Sequence, residues 1–334
     1  MKRVLVLATG DTIALSERGI VPGKELIADL GLGAFGGFEF GGFDLGGGGL
    51  GGVEAEDVSA GPSWDLLPET MLEIARRARA AILERGFAGV VVTHGVDTLE
   101  ETAFLTDLLA GPAADRGAIV FTGAVRSRAE PSPDGPRNLA AAIVAAADPA
   151  LRGAGAVVCF DDELHAARWA TMVDPTSAAA FSSAPFAPLG RVRHGAVELS
   201  LAPPRRPPAP LGEPESSVAL VKTYPGIDAA LLGAIVDAGA RGIVLEGTGL
   251  GSVPVDLFAT IHELTSWDIP VVVASRSRVP TGAAGPPDES GAALVAKLGA
   301  IGARGLAPAK ARCALMVALG GGGVAAARRW FERL

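Results

Sequence analysis

Cysteine is scarce in this chain of 334 residues, which contains only Cys159 and Cys313. Both lie within apolar runs, so we expect two buried free thiols rather than a disulfide or a reactive thiol. Aromatic residues make up only 5% of the sequence, with a single tyrosine. Because large side chains are so few, alanine, valine and leucine must fill most of the core.

Basic residues are fewer than acidic ones, and the formal net charge is −8 at pH 7. Nucleic acids and anionic membranes bind proteins through basic surfaces, so we expect neither as a partner. Long apolar runs are missing too, since no stretch reaches the roughly 20 residues that span a bilayer. The apolar run near the amino terminus covers only about six residues, too few for a signal peptide. The sequence therefore predicts a cytoplasmic protein.

Motifs for metals and nucleotides are absent as well. No cysteine–histidine cluster has the spacing of zinc ligands, and neither GxxxxGKS nor GxxxxGKT, the phosphate-binding loops, occurs. We therefore expect no metal and no other cofactor. A small molecule is the expected partner.

Apolar runs alternate with amphipathic helical patterns in the first half of the chain. The helical patterns cover residues 68–86 and 97–111, and the runs that indicate buried strands are 3–8, 89–93, 118–123 and 155–160. Buried strands that alternate with helices are typical of a parallel sheet covered by helices. The sequence therefore predicts an α/β fold with helices on both faces of the sheet.

Proline interrupts this pattern at residues 203–214, where six of twelve residues are proline. Such a segment is neither a helix nor a central strand, and it is typical of a semi-rigid linker. The alternation then resumes. We expect an N-terminal α/β domain at 1–202, the linker at 203–214, and a smaller α/β domain at 215–334. The glycine-rich segment 31–52 has two interpretations: a surface excursion, or a mobile lid whose phenylalanines cover a ligand.

Polar residues collect in three stretches: ATGDTIA after the first predicted strand, PSWD before the first amphipathic helix, and THGVDT after the next strand. Loops at the carboxyl ends of parallel strands converge on ligands. Their free backbone N–H groups can bind a carboxylate or an oxyanion, and a threonine hydroxyl there is a candidate nucleophile. Each loop also has a structural interpretation. TGDT is typical of a helix N-cap, and DTLEE of a capping box in which Asp97 or Thr98 caps the helix.

Two of these loops resemble the signatures of the bacterial L-asparaginase/glutaminase family. ATGDTIA is similar to the family's TGGTIA, and THGVDTLEETA to its HGTDTLEETA; the likeness continues in order through GAVRSRAEPSPDGPRNL, VKTYPG, LEGTGLGSVP and LAPAKAR. The resemblance implies two α/β domains and a tetramer built as a pair of dimers. It also implies an active site between the N-terminal domain of one subunit and the C-terminal domain of its neighbour. We accordingly expect a homodimer or homotetramer.

The resemblance assigns roles to particular residues. Thr12 matches the family's nucleophile, which forms an acyl-enzyme. Ser63 matches the serine that binds the substrate α-carboxylate, and Asp97 the aspartate that binds its α-ammonium. Gly95 belongs to the same turn as Asp97 and is expected to bind substrate. Trp64 stands where the family usually has glutamine and is also expected to contact substrate.

Other family positions have changed in this sequence. Val96 stands in place of the family's second threonine, Met172 in place of its partner lysine, and Ile20 in place of the loop tyrosine. An intact threonine–lysine pair would supply a hydroxyl and a group that shifts its proton. Ordinary asparaginase activity is therefore predicted to be weak or lost. Asp11 stands in place of a glycine and is a candidate catalytic acid or base beside Thr12.

Three functions are compatible with this pattern. The first is an amidohydrolase that uses Thr12 on an asparagine-like or larger amide. The second is an enzyme of a specialised pathway that runs a different reaction on the same scaffold. The third is a non-catalytic protein in which Ser63 and Asp97 still hold an amino acid.

Overall fold

The computed structural model of the protein describes residues 2–30, 50–277 and 291–334, together with the backbone of the short strands Glu39–Phe40 and Phe43–Asp44. Most of the glycine-rich segment 31–52, for which a lid was one interpretation, lies outside the described residues. The chain forms two compact units, Met1–Arg206 and Pro207–Leu334. The division between them falls inside the proline-rich stretch.

The first unit is built on one large sheet. Within the described residues its strands are β1 (Lys2–Ala8), β2 (Leu50–Asp57), β3 (Gly89–Thr93), β4 (Ala118–Thr122), β5 (Ala156–Phe160), β6 (Glu163–Ala166), β7 (Gly190–Arg193) and β8 (Ala196–Leu199). Their order across the sheet is β8-β7-β6-β5-β4-β3-β1-β2. The pairs from β2 to β5 are parallel, and those from β5 to β8 are antiparallel. Strands β3, β4 and β5 are buried along their whole length, which accounts for their continuous apolar sequences.

Helices cover both faces of this sheet, as the sequence predicts. They are α1 (Gly23–Ala28), α2 (Pro68–Leu83), α3 (Leu99–Ala110), α4 (Ala113–Arg116) and α5 (Gly135–Ala147). Alternate residues of β1 point to opposite faces: Val4 packs in one apolar cluster with the alanine-rich α5, and Leu5 packs in the other with α2 and α3. Alanine is abundant in α5 because nearly every side of this helix is buried.

Two tight turns add the antiparallel strands, which the sequence analysis did not predict. Asp161 and Asp162, at φ 48° and 63°, join β5 to β6, and His194 and Gly195, at φ 48° and 75°, join β7 to β8. Two successive residues with positive φ form the hairpin turn that matches the twist of antiparallel strands. Asp-Asp and His-Gly are weaker sequence signals for this turn than Asn-Gly, so the two hairpins could not be predicted from the sequence.

The second unit is a smaller α/β domain, as expected. Its described strands form a parallel sheet in chain order: β9 (Val218–Lys222), β10 (Gly242–Gly247), β11 (Val271–Ser275) and β12 (Ile301–Gly302). Its described helices are α6 (Ala230–Asp237), α7 (Phe258–Ser266), α8 (Gly291–Lys297), α9 (Pro308–Leu319) and α10 (Val324–Arg333). The indole of Trp330 is buried and donates to the carbonyl oxygen of Ala209 at 3.1 Å, which fixes the start of the unit.

Cys159 and Cys313 are both buried thiols that form no disulfide, as predicted. In the part of the chain that the structure describes, no helix is long and apolar enough to cross a bilayer.

Candidate active site

Three loops meet at one edge of the large sheet. Ala8, the last residue of β1, is paired with Asp57 at the end of β2 and with Thr93 at the end of β3. The loops that follow these strands therefore begin side by side. The Thr9 hydroxyl joins two of them, because it donates to the carbonyl oxygen of Thr93 at 2.8 Å. This convergence is where a parallel sheet places its ligand site.

The Asp11 carboxylate lies at the centre of the three loops and is buried, with 9% of the residue exposed. Its Oδ1 accepts from the backbone N–H of Thr12 at 2.7 Å and from the Thr12 hydroxyl at 3.1 Å. Its Oδ2 accepts from the backbone N–H of Ser63 at 2.6 Å. Asp11 thus caps the short 3-10 helix Thr12–Ala14, which agrees with the structural interpretation of TGDT. It also contacts the candidate nucleophile and a second loop.

Gly95 provides the third side of this arrangement. A Cβ atom on Gly95 would lie 1.8 Å from Asp11 Oδ2 and 2.3 Å from Ser63 Oγ. Both oxygens therefore border one small space above the Gly95 backbone. A residue larger than glycine at this position would displace the Asp11 carboxylate, so the glycine is required by close approach.

Ser63 is 3% exposed and begins the 3-10 helix Ser63–Asp65. Its N–H is bound by Asp11, and its carbonyl oxygen accepts from the Thr98 hydroxyl at 2.8 Å. Its own hydroxyl is buried and has no hydrogen-bond partner within the described residues. Thr98 does occupy the N-cap position of α3, but its side chain makes no capping bond. The N-cap position predicted for Thr98 is thus confirmed, but the predicted side-chain cap is not formed, because the Thr98 hydroxyl joins two loops instead.

Two expected substrate-binding residues lie at the rim. Trp64 follows Ser63 and is 70% exposed, so its indole presents an apolar face to solvent. Asp97 follows the Gly95 turn and is also exposed. Neither is held by the Asp11 network, so the structure brings Asp11, Thr12, Ser63 and Gly95 together and leaves these two outside it.

Val96 and Met172, which the resemblance predicts to stand in place of a threonine and a lysine, pack in one apolar cluster. Val96 is 9% exposed within the cluster under α2 and α3, and the half-buried Met172 packs against the same cluster. Met172 lies in a short ribbon, where it is paired with Phe181. Ile20 is elsewhere: it pairs with Leu15 in the ribbon after β1, and both side chains are exposed.

His94 is a buried residue next to Gly95, in the loop after β3. Its Nδ1 lies 2.8 Å from the carbonyl oxygen of Gly95, which requires Nδ1 to be the protonated nitrogen. Burial lowers the pKa of His94, and this outweighs the opposite effects of the Gly95 carbonyl and the Asp11 charge. Burial therefore favours the neutral ring, whose Nδ1–H donates to the Gly95 carbonyl oxygen and holds this part of the loop.

The arrangement pairs a hydroxyl with a proton acceptor. Thr12 Oγ1 already donates to a carboxylate, and buried backbone N–H groups hold that carboxylate in place, as an activated nucleophile requires. Within the described residues, no group of three histidine, cysteine, aspartate or glutamate side chains is placed to hold a metal ion.

Comparison with protein families matches the two units separately. The profile described as "Asparaginase, N-terminal" matches residues 3–205, and the profile described as "Glutaminase/Asparaginase C-terminal domain" matches residues 217–331. Together the two matches cover most of the chain.

Individual relatives agree with this result. The chain is 32% identical to the L-asparaginase of Bacillus licheniformis, over 82% of each chain. It is 30% identical to L-asparaginase 2 of Escherichia coli, over 96% of this chain and 89% of the relative. The crystal structure of a probable cytoplasmic L-asparaginase from Campylobacter jejuni superposes with a TM-score of 0.80 at 27% identity, covering 100% of both chains.

Proposed function

This chain belongs to the asparaginase family, and from that premise we propose that it hydrolyses a linear amide with Thr12 as nucleophile and Asp11 as the group that moves the proton. The observation that carries the proposal is the 3.1 Å contact from Thr12 Oγ1 to Asp11 Oδ1. The family relationship supports amide hydrolysis as the reaction. The contact supports the assignment of the proton acceptor.

The proposed reaction has two halves. Thr12 Oγ attacks the amide carbonyl carbon while its proton passes to Asp11 Oδ1. The C–N bond then breaks, and Asp11 returns the proton to the departing nitrogen, which leaves as ammonia or an amine. In the second half, water attacks the acyl-threonine and gives a proton to Asp11. Breaking the ester bond returns that proton to Thr12 Oγ and releases the carboxylic acid.

Free L-asparagine is proposed to be a poor substrate. Val96 and Met172 offer neither a hydroxyl nor an ammonium group, and both pack in an apolar cluster. Asp11 is therefore the proposed carrier of the proton. The exposed indole of Trp64 supports a substrate that carries an apolar or extended group.

The experiment compares ammonia or amine release by the wild type, Thr12→Val, Thr12→Ser and Asp11→Asn. The substrates are L-asparagine, L-glutamine and amides extended by an apolar group. We expect turnover of an extended amide that exceeds turnover of L-asparagine. We expect Thr12→Val to abolish that turnover, Thr12→Ser to keep part of it, and Asp11→Asn to lower it at least a hundredfold.

Unchanged turnover in Thr12→Val would refute the assignment of the nucleophile. Binding of an amino amide with no turnover of any amide would favour the third function, a non-catalytic binding protein. A cytoplasmic location and assembly into a homodimer or homotetramer remain part of the proposal.

A further inference from the structure

We propose that the Asp11 carboxylate permanently occupies a carboxylate-binding pocket of the protein. The site then accepts amides that carry an ammonium group and a capped carboxyl group, and it excludes ligands with a free carboxylate. The inference concerns the site of the proposed function and rests on it, although binding alone can test it.

The first step is that the pocket is made for a carboxylate. Backbone N–H groups of Thr12 and Ser63, which belong to different loops, donate to separate oxygens of Asp11 at 2.7 and 2.6 Å. The Thr12 hydroxyl adds a third donor. Two N–H groups aimed at the two oxygens of one group form a carboxylate pocket, and its occupant is a side chain of the protein.

The second step is that this occupant is held under strain. Asp11 has φ 64° and ψ −162°, a backbone conformation that is almost exclusive to glycine. An aspartate in such a conformation persists only where its side chain is strongly held. Asp11→Gly would therefore suit the backbone and would empty the pocket of its carboxylate.

The third step is that a donor remains for a ligand. The Ser63 hydroxyl is buried, unpartnered within the described residues, and faces the same small space at Gly95 as Asp11 Oδ2. A neutral carbonyl oxygen of an amide or ester can accept from this hydroxyl. A ligand carboxylate would bring a second negative charge into contact with Asp11 in a buried space, where like charges repel strongly.

The last step concerns the ligand's positive charge. Asp97 is exposed in the turn that includes Gly95, and Asp65 is exposed in the turn that includes Ser63. These carboxylates belong to two of the three loops that form the site, so their negative charge favours an ammonium and disfavours a carboxylate at the rim. The preferred ligand is thus an amino amide with no free carboxylate.

The test measures binding by calorimetry and by thermal shift, using L-asparagine, L-asparaginamide and acetate as probes. For the wild type we expect L-asparaginamide to bind at least tenfold more tightly than L-asparagine, and acetate to have no effect. For Asp11→Gly we expect L-asparagine to gain at least tenfold in affinity, and acetate to raise the melting temperature by filling the emptied pocket. Asp115→Asn removes an exposed carboxylate of α4, outside the three loops of the site, and should keep the wild-type preference.

Equal binding of the two amino acid probes to the wild type, or no binding of either probe to any variant, would overturn the inference. If Asp11→Gly does not fold, Asp11→Asn keeps the size and removes the charge; the preference for L-asparaginamide must then fall below threefold. A wild type that shows the binding preference but hydrolyses neither probe nor any extended amide would refute the proposed function and leave the inference standing. Efficient hydrolysis of L-asparagine at low concentration would overturn the inference and the proposal that L-asparagine is a poor substrate, and would leave amide hydrolysis as the reaction standing.

Discussion

At position 11, one side chain combines a conformational cost with several favourable contacts. A residue other than glycine in this backbone conformation costs about 1–3 kcal/mol. Each hydrogen bond to a charged group contributes about 1.5–3 kcal/mol, and the buried Asp11 carboxylate accepts three. The contacts therefore outweigh the strain, and Asp11 stays in place without any ligand.

His94, which supports this loop, makes stability depend on pH. Burial lowers its pKa in the folded state from the ordinary value of 6.5, so folding favours the neutral ring. Its contribution is fully present above pH 6.5 and is lost as the pH falls below that value, by up to about 1.4 kcal/mol per pH unit. Urea unfolding at pH 7.5 and 5.5 should show a smaller pH dependence for His94→Gln than for the wild type. His262→Gln, which removes an exposed imidazole, should keep the wild-type dependence; equal behaviour of the two variants would contradict the prediction.

At the scale of elements, two segments far apart in the chain pack on one apolar cluster. Val96 lies in the turn after β3, and Met172 lies in the ribbon that pairs with Phe181. If they face each other, Met172→Lys alone should lower the free energy of unfolding by roughly 1–3 kcal/mol, because it places an ammonium against valine. Val96→Thr alone should cost about 1 kcal/mol or less.

The double variant should recover part of the lysine cost, since neighbouring substitutions are not additive. It should also release ammonia from L-asparagine faster than the wild type. The experiment measures denaturant midpoints and ammonia release for the wild type, the two single variants and the double variant. Met172→Gln serves as a control of similar length without charge. Strict additivity with no gain in activity would show that the two positions are independent.

The strands and loops differ in how well the sequence predicts them. Strands β3, β4 and β5 were predictable because burial on both faces demands an unbroken apolar run. Two of the three polar loops could be identified in the same way, since ATGDTIA follows the apolar run 3–8 and THGVDT follows the run 89–93. The bond from Ser63 to Asp11 could not be predicted, because it joins residues 52 positions apart. The hydrogen bond of Thr98 could not be predicted either. Its position before a helix suggested a side-chain cap, but its hydroxyl donates to the carbonyl oxygen of Ser63 in another loop.

For the whole molecule, several large apolar side chains are exposed in each unit. In the first unit Trp64 and Leu67 are 70% and 63% exposed, and in the second unit Val255 and Trp267 are 72% and 60% exposed. Exposed apolar surface is typical of interfaces with another subunit. Light scattering at micromolar concentration should give two or four times the mass of one chain, in line with the proposed homodimer or homotetramer. The mass of a single chain across the concentration range would contradict this prediction.

The buried cysteines have a practical consequence for spectroscopy. Burial raises the pKa of the Cys159 thiol, and Cys313 is equally enclosed within α9. Because these are the only two thiols in the chain, maleimide reagents should leave the folded protein unmodified. A cysteine introduced at Trp64 would then be the single reactive thiol. A fluorophore attached there would report ligand entry beside Ser63 without removal of either native cysteine.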